Sequence, residues 1–514
     1  MPTHAATDNA SVAAATSSEK PSRARDVFGR RMPVFVVAFV ALMVANLWRL
    51  HALPFWDEAT GMWFSASALE EMGGDLPRLL SQPGYLDGGP NTHSLTPVTW
   101  FTAAILRVAG TSAIPSLHVI HIAIAAVAAT ALFRFAGRVL PRKLAAVTTV
   151  AAFSVPLVFA QTGYMYLEIP SLAAAALALR ARQEHREATA AGWAAVAAWV
   201  KMSGIAVAAG LVIHSVLVGD RSRRDAIRCA RTAIPAIAVV LIPMAVEASG
   251  SRFSIEAAGV AFRTSLRAAG YVPDVALLLV AGLIVPLFLR APGGDGTHSS
   301  VRLIWSYTVA VVFVTASVAP FQYVYLPRYY TAVVPLVVVM LVIVLWQHSG
   351  VRSAAIGATV IASIGLVNLG GWLYPTLPPN APWMLERSLE YYPRMRLDVA
   401  VADYVATLPP GVVKLISFNE VPLYLHPNLG YVDEPIANTI ESPPGWRADG
   451  FRESLDPPDE FYIVHTYAVL GGATLEDLWH DLESDAGYTT DVTTFTNGEH
   501  TSHVIHVVRV PAEG

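Results

Sequence analysis

The chain has 514 residues, of which 54% are hydrophobic and only 14% are charged, against about 25% charged residues in a typical soluble protein. The mean hydropathy of +0.47 and the apolar runs of membrane length between residues 33 and 372 exclude an ordinary soluble protein and indicate a multi-spanning membrane protein. The net charge of −4, with no basic stripe, gives no indication of nucleic-acid binding, and the single cysteine, Cys229, excludes an intramolecular disulfide.

The N-terminal part predicts the orientation of the chain. Residues 1–31 are rich in Ala, Ser and Thr and carry four arginines, which predicts a disordered cytoplasmic tail. The apolar segment 33–50 lacks a small-residue cleavage site and is predicted to be a retained span. Asp57 and Glu58 then follow on the outer side, at a depth where carboxylates are costly and usually functional. The structural alternative is that Asp57 caps the next helix and Glu58 favours its dipole.

The next segments alternate between the outer surface and the membrane. Residues 58–72 and 96–109 are predicted to be surface or partly inserted helices, joined by a Gly- and Pro-rich loop that contains His93. Further spans are predicted at 113–135 and 144–161, with a basic loop between them on the inside. An external turn carries Glu168 and leads into a fourth span.

Residues 191–218 predict a hairpin below the outer surface. Fewer than 30 residues lie between two basic loops here, whereas two full spans need about 40. Two short helices therefore fit, with Lys201-Met202-Ser203-Gly204 at the apex, inside the protein.

The remaining chain completes a count of about 11 spans and adds a second domain. Spans are predicted at 232–248, 275–289, 303–318, from the external turn 321–330 to about 347, and at 354–372, with a surface helix at 249–273. A Pro-rich linker at 375–382 leads to strands at 412–418, 461–465 and 503–510 and a helix at 474–484. The predicted fold is an α-helical multi-spanning membrane protein with a C-terminal extracytoplasmic α/β or α+β domain, divided at 1–31, 32–374 and 375–514.

The predicted topology gathers ionisable groups at the outer boundary: Asp57, Glu58, His93, Glu168, Lys201 and Arg328. An acid can act as general base for a hydroxyl acceptor, and cations can hold a leaving phosphate. A histidine with carboxylates nearby can hold a divalent metal. Each residue also has a structural alternative: Glu168 as a helix start, His93 as a surface residue, Lys201 as a snorkelling side chain and Arg328 as an interfacial anchor.

The order of these motifs resembles the GT-C glycosyltransferases that use polyprenyl-phosphate sugars, such as protein O-mannosyltransferases and lipid A aminoarabinose transferases. The resemblance covers about residues 33–345. It rests on Asp57-Glu58-Ala59 after the first span, His93-Ser94-Leu95-Thr96-Pro97, Glu168-Ile169-Pro170, Lys201 and Gly204 at the hairpin apex, and Arg328-Tyr329. The chain departs from the family in keeping one proline after His93, in placing Ser94 where the aminoarabinose branch has lysine, and in an insertion before Gly204.

The resemblance implies an inverting glycosyltransferase on the outer face of the cytoplasmic membrane. Asp57 would be the catalytic base, Glu58 and Glu168 supporting acids, and Lys201, Arg328 and Tyr329 the residues that bind the lipid phosphate. His93 would be the ligand of a divalent metal, if one takes part. The implied partners are a polyprenyl-phosphate sugar, a glycan, lipid or protein acceptor, and membrane lipids, without nucleic acid.

Two other classes of protein remain as alternatives. The first is a transporter or flippase for a lipid-linked or anionic solute. Such proteins place charges near the bilayer midplane and often have repeated halves, whereas here the charges cluster at one face and no repeat is detected. The second is a non-catalytic scaffold or sensor with an outer domain.

Overall fold

The computed structural model describes residues 23–54, 97–218, 227, 230–238, 269–288, 295–318, 327–377, 382–417, 425, 427, 430–442, 459–465, 479–480, 482 and 487–511. Asp57, Glu58 and His93 lie outside the described residues, as do the predicted helices at 58–72 and, for the most part, at 249–273 and 474–484.

The described residues are mainly helical. The first helix begins at Arg23, inside the segment predicted as a tail. The helices are α1 Arg23–Asn46, α2 Pro97–Ala109, α3 Ile114–Ala136, α4 Arg142–Ser154, α5 Pro156–Gln161, α6 Glu168–Gln183, α7 Glu187–Val200, α8 Ile205–Val218, α9 Pro273–Phe288, α10 Asp295–Val318, α11 Val334–Val367 and α12 Tyr391–Ala406.

Several of these helices suit a lipid environment. In the described part of the chain, Gly110–Ala136, Thr297–Ala316 and Val334–Gly370 are long and apolar enough to cross a membrane, and Pro33–Arg49, Ile205–Val218 and Pro273–Leu287 are shorter apolar helices. Large apolar side chains also lie outside the bundle, including Val37, Leu277 and Phe313, each about 70% exposed. An apolar outer surface of this extent is typical of contact with lipid. The count of about 11 spans stays a prediction.

One predicted span is divided in the structure, and α11 contains a reversal of the chain. The segment 144–161 is divided at Val155, whose backbone is extended, because Pro156 has no N–H to continue the helix. In α11 the backbone leaves the helical region at Gly350, which has φ +78°, and Leu345 lies against Gly357. Residues that far apart in a continuous helix cannot touch, so the chain reverses at Gly350 into a helical hairpin. This agrees with separate spans ending near 347 and beginning at 354.

The C-terminal region contains a five-stranded sheet, as the sequence predicts for a domain with both helix and strands. Its strands are β1 Val413–Ser417, β2 Thr439–Ser442, β3 Glu460–His465, β4 Tyr488–Asn497 and β5 His500–Arg509, in the order β2-β1-β3-β5-β4. β1 pairs in parallel with β2 and β3, whereas β5 is antiparallel to β3 and β4. The predicted strands correspond to β1, β3 and β5.

One hydrophobic cluster joins the helical bundle to the sheet. It contains Leu117 of α3, Tyr164 from the turn before α6, Tyr391 of α12 and Val504 of β5. The cluster holds the C-terminal region directly against the turn between α5 and α6. Charged residues of the bundle and of the C-terminal region therefore come within reach of each other.

Candidate functional site

Glu168 lies at the point where the turn after α5 enters the bundle. It is the first residue of α6, and its side chain is 4% exposed. A carboxylate in the first helical turn interacts favourably with the helix dipole, so the structural alternative for this residue holds in part. Its charge has further partners, since the Lys201 ammonium donates a hydrogen bond to Glu168 Oε1.

Lys201 reaches Glu168 because α7 and α8 form the tight hairpin that the sequence predicts. The α7 helix ends at Val200, a short 3₁₀ turn covers Met202–Gly204, and α8 begins at Ile205. A β-carbon on Gly204 would lie 2.1 Å from the Ala197 carbonyl oxygen, so the close turn requires glycine. The Lys201 side chain is only 8% exposed, and it is directed into the protein instead of snorkelling to an interface.

Arg328 joins Glu168 to a second carboxylate. Its Nε lies 3.3 Å from Glu168 Oε1, and its Nη1 donates to both oxygens of Glu386 at 2.6 and 2.7 Å. Arg328 and Glu386 are each 2% exposed, so this is a buried bidentate pair and not an interfacial anchor. Lys201, Glu168, Arg328 and Glu386 are called the charged cluster below.

Two tyrosines pack on the cations of the charged cluster. The Tyr166 ring lies 4.8 Å from the Arg328 guanidinium carbon, and its hydroxyl donates to Glu386 Oε1 at 2.7 Å. The Tyr329 ring centroid lies 4.6 Å from Lys201 Nζ. Both arrangements are cation–π contacts, which fix the positions of the two charged heads.

The structure therefore brings together four residues predicted from the sequence: Glu168, Lys201, Arg328 and Tyr329. Asp57, Glu58 and His93 lie outside the described residues, and their roles stay predictions. Among the residues that the structure does describe, no group of three His, Cys, Asp or Glu side chains is arranged to hold a metal ion.

Glu386 is the member of the charged cluster that sequence reasoning missed. It lies in a short 3₁₀ segment, Pro382–Arg387, just after the Pro-rich linker and beyond the region of family resemblance. The signal that could have found it is the pair Glu386-Arg387 in an otherwise apolar and Pro-rich stretch. Burial raises the pKa of the Glu386 carboxyl, against the opposing effects of the Arg328 charge and the Tyr166 hydroxyl.

The residue next to Glu386 fixes the same segment to the bundle. The Arg387 guanidinium donates to the Tyr271 carbonyl at 2.8 Å, to the Pro375 carbonyl at 3.0 Å and to Glu390 Oε1 at 2.6 Å. Glu386 thus contacts the charged cluster, whereas its neighbour Arg387 contacts residues outside the cluster. The segment connects the charged cluster with the start of α9 and with the linker.

A second buried arginine lies nearby, at the end of the first helix. Arg49 is 1% exposed and donates to the carbonyls of Ala160 at 3.1 Å and Phe159 at 3.0 Å, and to Thr162 Oγ1 at 3.0 Å. It also donates to Asn46 Oδ1. The acceptors at 159, 160 and 162 lie at the C-terminal end of α5, where a positive charge is favoured by the helix dipole.

An apolar cavity of about 270 Å³ lies between α2, α3 and the turn before α6. Phe101, Leu117, Ile124 and Met165 are among the side chains that line it, and His121 contributes a ring. Met165 lies one residue from Tyr166, so the cavity and the charged cluster share the same turn.

Two crystal structures of ArnT from Cupriavidus metallidurans are among the solved structures that are similar to this chain. The one bound to undecaprenyl phosphate has a TM-score of 0.49 at 11% sequence identity, over 92% of this chain and 97% of that chain. The one in the apo state has a TM-score of 0.45 at 12% identity, over 92% and 98%. With TM-scores below 0.5, neither match carries an argument about fold, activity or ligand.

No family model matches the chain, and no curated protein matches it.

Proposed function

We propose that this protein is a GT-C glycosyltransferase that moves a sugar from a polyprenyl phosphate to a hydroxyl acceptor, with inversion, at the outer face of the membrane. The charged cluster is the observation that carries the proposal. Two cations, Lys201 and Arg328, and two carboxylates meet in a dry site, at the junction of the helical bundle and the C-terminal region. Burial of charged side chains is energetically unfavourable. A buried set of four is therefore expected where a polar reaction requires it.

The cations suit the phosphate of the donor. One nitrogen of Arg328, Nη1, already donates to both oxygens of a carboxylate, and a guanidinium also binds phosphate oxygens well. Lys201 supplies a second positive charge through Glu168. In the transfer step the bond between the anomeric carbon and the phosphate oxygen breaks, and negative charge develops on that oxygen. Lys201 and Arg328 would stabilise this charge in the transition state.

The acceptor side of the reaction is assigned by resemblance. Asp57 would take the proton from the acceptor hydroxyl as its oxygen attacks the anomeric carbon, and Glu58 and Glu168 would support it. Glu168 is already shared between both cations, so its role would be to position them. A metal held by His93 would supply charge stabilisation for the phosphate.

The two alternatives make different demands on this site. A transporter needs charges that face a passage between the two sides of the membrane. The charged cluster is buried, with each of its four residues below 10% exposure, and it is covered by a segment of the C-terminal region. A scaffold needs no buried charges, and the energetic cost of the charged cluster argues against that class.

The test is donor turnover in nanodiscs with a panel of polyprenyl-phosphate sugars and hydroxyl acceptors, with and without chelator. The wild type is expected to consume one donor, and Asp57→Asn is expected to bind that donor without consuming it. Sensitivity to chelator would assign a metal to the reaction. Binding of no polyprenyl phosphate by the folded wild type would reject the proposal and favour the transporter.

A further inference from the structure

The charged cluster already contains carboxylates at the cations that would bind a phosphate. Its four described members carry two formal positive and two formal negative charges, and the sum is zero. A lipid phosphate that enters adds at least one negative charge to a site shielded from water. Such an uncompensated buried charge is strongly unfavourable. Binding therefore requires that a carboxylate leaves or takes up a proton.

Glu168 is poorly suited to leave. It belongs to the first turn of α6, where its charge is favoured, and it contacts both Lys201 and Arg328. Removal of Glu168 would leave Lys201 without its carboxylate partner among the described residues. It is the group that holds the two cations at a fixed separation.

Glu386 is suited to leave. It belongs to a six-residue 3₁₀ segment and not to a long helix. In the described part of the chain, its carboxylate accepts from Arg328 and from the Tyr166 hydroxyl. Both of its oxygens accept from Arg328 Nη1, and phosphate oxygens can take the same place on the guanidinium. The charged and titratable groups that face it from the packed elements are Arg328, Tyr166 and Glu168, with Lys201 behind Glu168.

We propose that Glu386 is an internal anion that occupies Arg328 in the resting state and is displaced from it by the phosphate of the lipid donor. The inference rests on the proposed function and adds the competition between a carboxylate of the C-terminal region and the substrate. Since burial already favours the neutral form of this carboxyl, uptake of a proton assists its release.

Displacement of Glu386 also has a consequence for the C-terminal region. Leu385 belongs to the same hydrophobic cluster as Tyr391 and Val504, and Arg387 holds the linker at Pro375. A movement of the segment Pro382–Arg387 therefore changes the packing of this segment against α12 and the sheet. In this way donor binding alters the contacts of the C-terminal region that covers the site.

The experiment uses three forms of the full-length protein in nanodiscs, the wild type and two variants. It measures their affinity for undecaprenyl phosphate across pH 5–8, a range that covers a carboxyl with a raised pKa. Glu386→Gln keeps the shape and removes the competing charge, so we expect its affinity to exceed that of the wild type by about tenfold at the upper end of this range. Wild-type affinity should rise as the pH falls, and the variant should lack this part of the dependence. Asp398→Asn, which removes a buried carboxylate that pairs with Arg394 outside the charged cluster, is the matched control and should follow the wild type.

The outcomes separate this inference from the proposed function. Equal or weaker binding by a folded Glu386→Gln, with the same pH profile as the wild type, would overturn the inference and leave the proposed function standing. Absence of binding by both folded proteins would overturn both. If Glu386→Gln fails to fold, the pH profile of the wild type against Asp398→Asn decides. The phosphate itself titrates with a pKa of about 6. A wild-type affinity that shows no pH dependence from pH 5 to 8 beyond this titration would overturn the inference.

Discussion

Two of the buried arginines of this protein, Arg49 and Arg328, are 1% and 2% exposed and have different partners. Arg49 is bound by backbone carbonyls and short polar side chains at the end of α5, and no carboxylate lies within ion-pair distance of it among the described residues. Arg328 is bound by two carboxylates. Backbone carbonyls cannot leave, whereas a carboxylate can be replaced by another anion. The partners therefore distinguish an arginine that holds the fold from one that can bind a substrate.

The largest effect is expected for Arg49→Ala. Loss of the guanidinium leaves the carbonyls of Phe159 and Ala160 buried without this donor, and we expect a loss of stability of about 3–5 kcal/mol. The measurement is the thermal midpoint in detergent at a fixed scan rate, since unfolding of such proteins is commonly irreversible. Arg396→Ala, which removes an exposed arginine from α12, is the control. A similar midpoint for both variants would contradict the structural role of Arg49.

The second prediction separates stability from activity at Arg328. The double substitution Arg328→Gln and Glu386→Gln removes both members of a buried ion pair and leaves Lys201 paired with Glu168. Replacement of both partners is close to neutral for stability, so the thermal midpoint should stay near that of the wild type. Donor turnover should fall by about a hundredfold or more, because a charge that stabilises the leaving phosphate is gone. Retained turnover would remove Arg328 from the proposed mechanism.

A third buried arginine, Arg394, tests how a single paired carboxylate makes stability depend on pH. Arg394 pairs with Asp398 at 3.0 Å on α12, and burial raises the pKa of Asp398 from 3.8 to about 6. The folded state therefore binds a proton more tightly than the unfolded state, so the contribution of this group to stability is greatest below pH 3.8 and is lost as the pH rises through about 6. The loss is on the order of 2–3 kcal/mol.

Asp398→Asn should remove this part of the pH dependence. The measurement is the thermal midpoint of the full chain between pH 4 and 7, the range in which a carboxyl with this pKa titrates. Asp403→Asn, at another acidic position of α12, serves as the control and should keep the wild-type slope. An unchanged slope in Asp398→Asn would show that other groups cause the pH dependence.

The smallest effect is expected for Tyr166→Phe. The substitution keeps the ring on Arg328 and removes the hydroxyl that donates to Glu386. We expect a loss of stability of about 1 kcal/mol, and a gain of a few-fold in affinity for undecaprenyl phosphate, because Glu386 is held less firmly. Calorimetry on the same samples measures both. Weaker phosphate binding would indicate that the hydroxyl contacts the lipid and not Glu386 alone.

The sequence predicted those parts of the fold that depend on local pattern. The apolar run 113–135 became α3, and the short distance between basic loops correctly placed Lys201 at a hairpin apex. Alternation of apolar residues located β1, β3 and β5. β4 was missed because its residues are largely threonines with half-buried side chains, which give no clear alternation. β2 has four residues, too few for a period to be detected.

The site was predictable only where its residues belong to the motifs on which the family resemblance rests. Glu168, Lys201 and Arg328 follow from their positions at turns of a membrane bundle, where charges are rare and informative. Glu386 could not be placed in the same way, because its contact with Tyr166 joins residues 220 positions apart. Nothing in the local sequence of the linker specifies that the segment after it folds back onto the bundle.

The order of synthesis gives Glu386 one more consequence. Glu168, Lys201 and Arg328 leave the ribosome before it, and the last helices of the bundle, including the hairpin at Gly350, are made in between. A nascent chain that stops short of residue 386 exposes two cations and one acid, with a net positive charge. Synthesis of the segment Pro382–Arg387 therefore supplies the second carboxylate and the cover of the site together, so a chain without this segment cannot adopt the resting state.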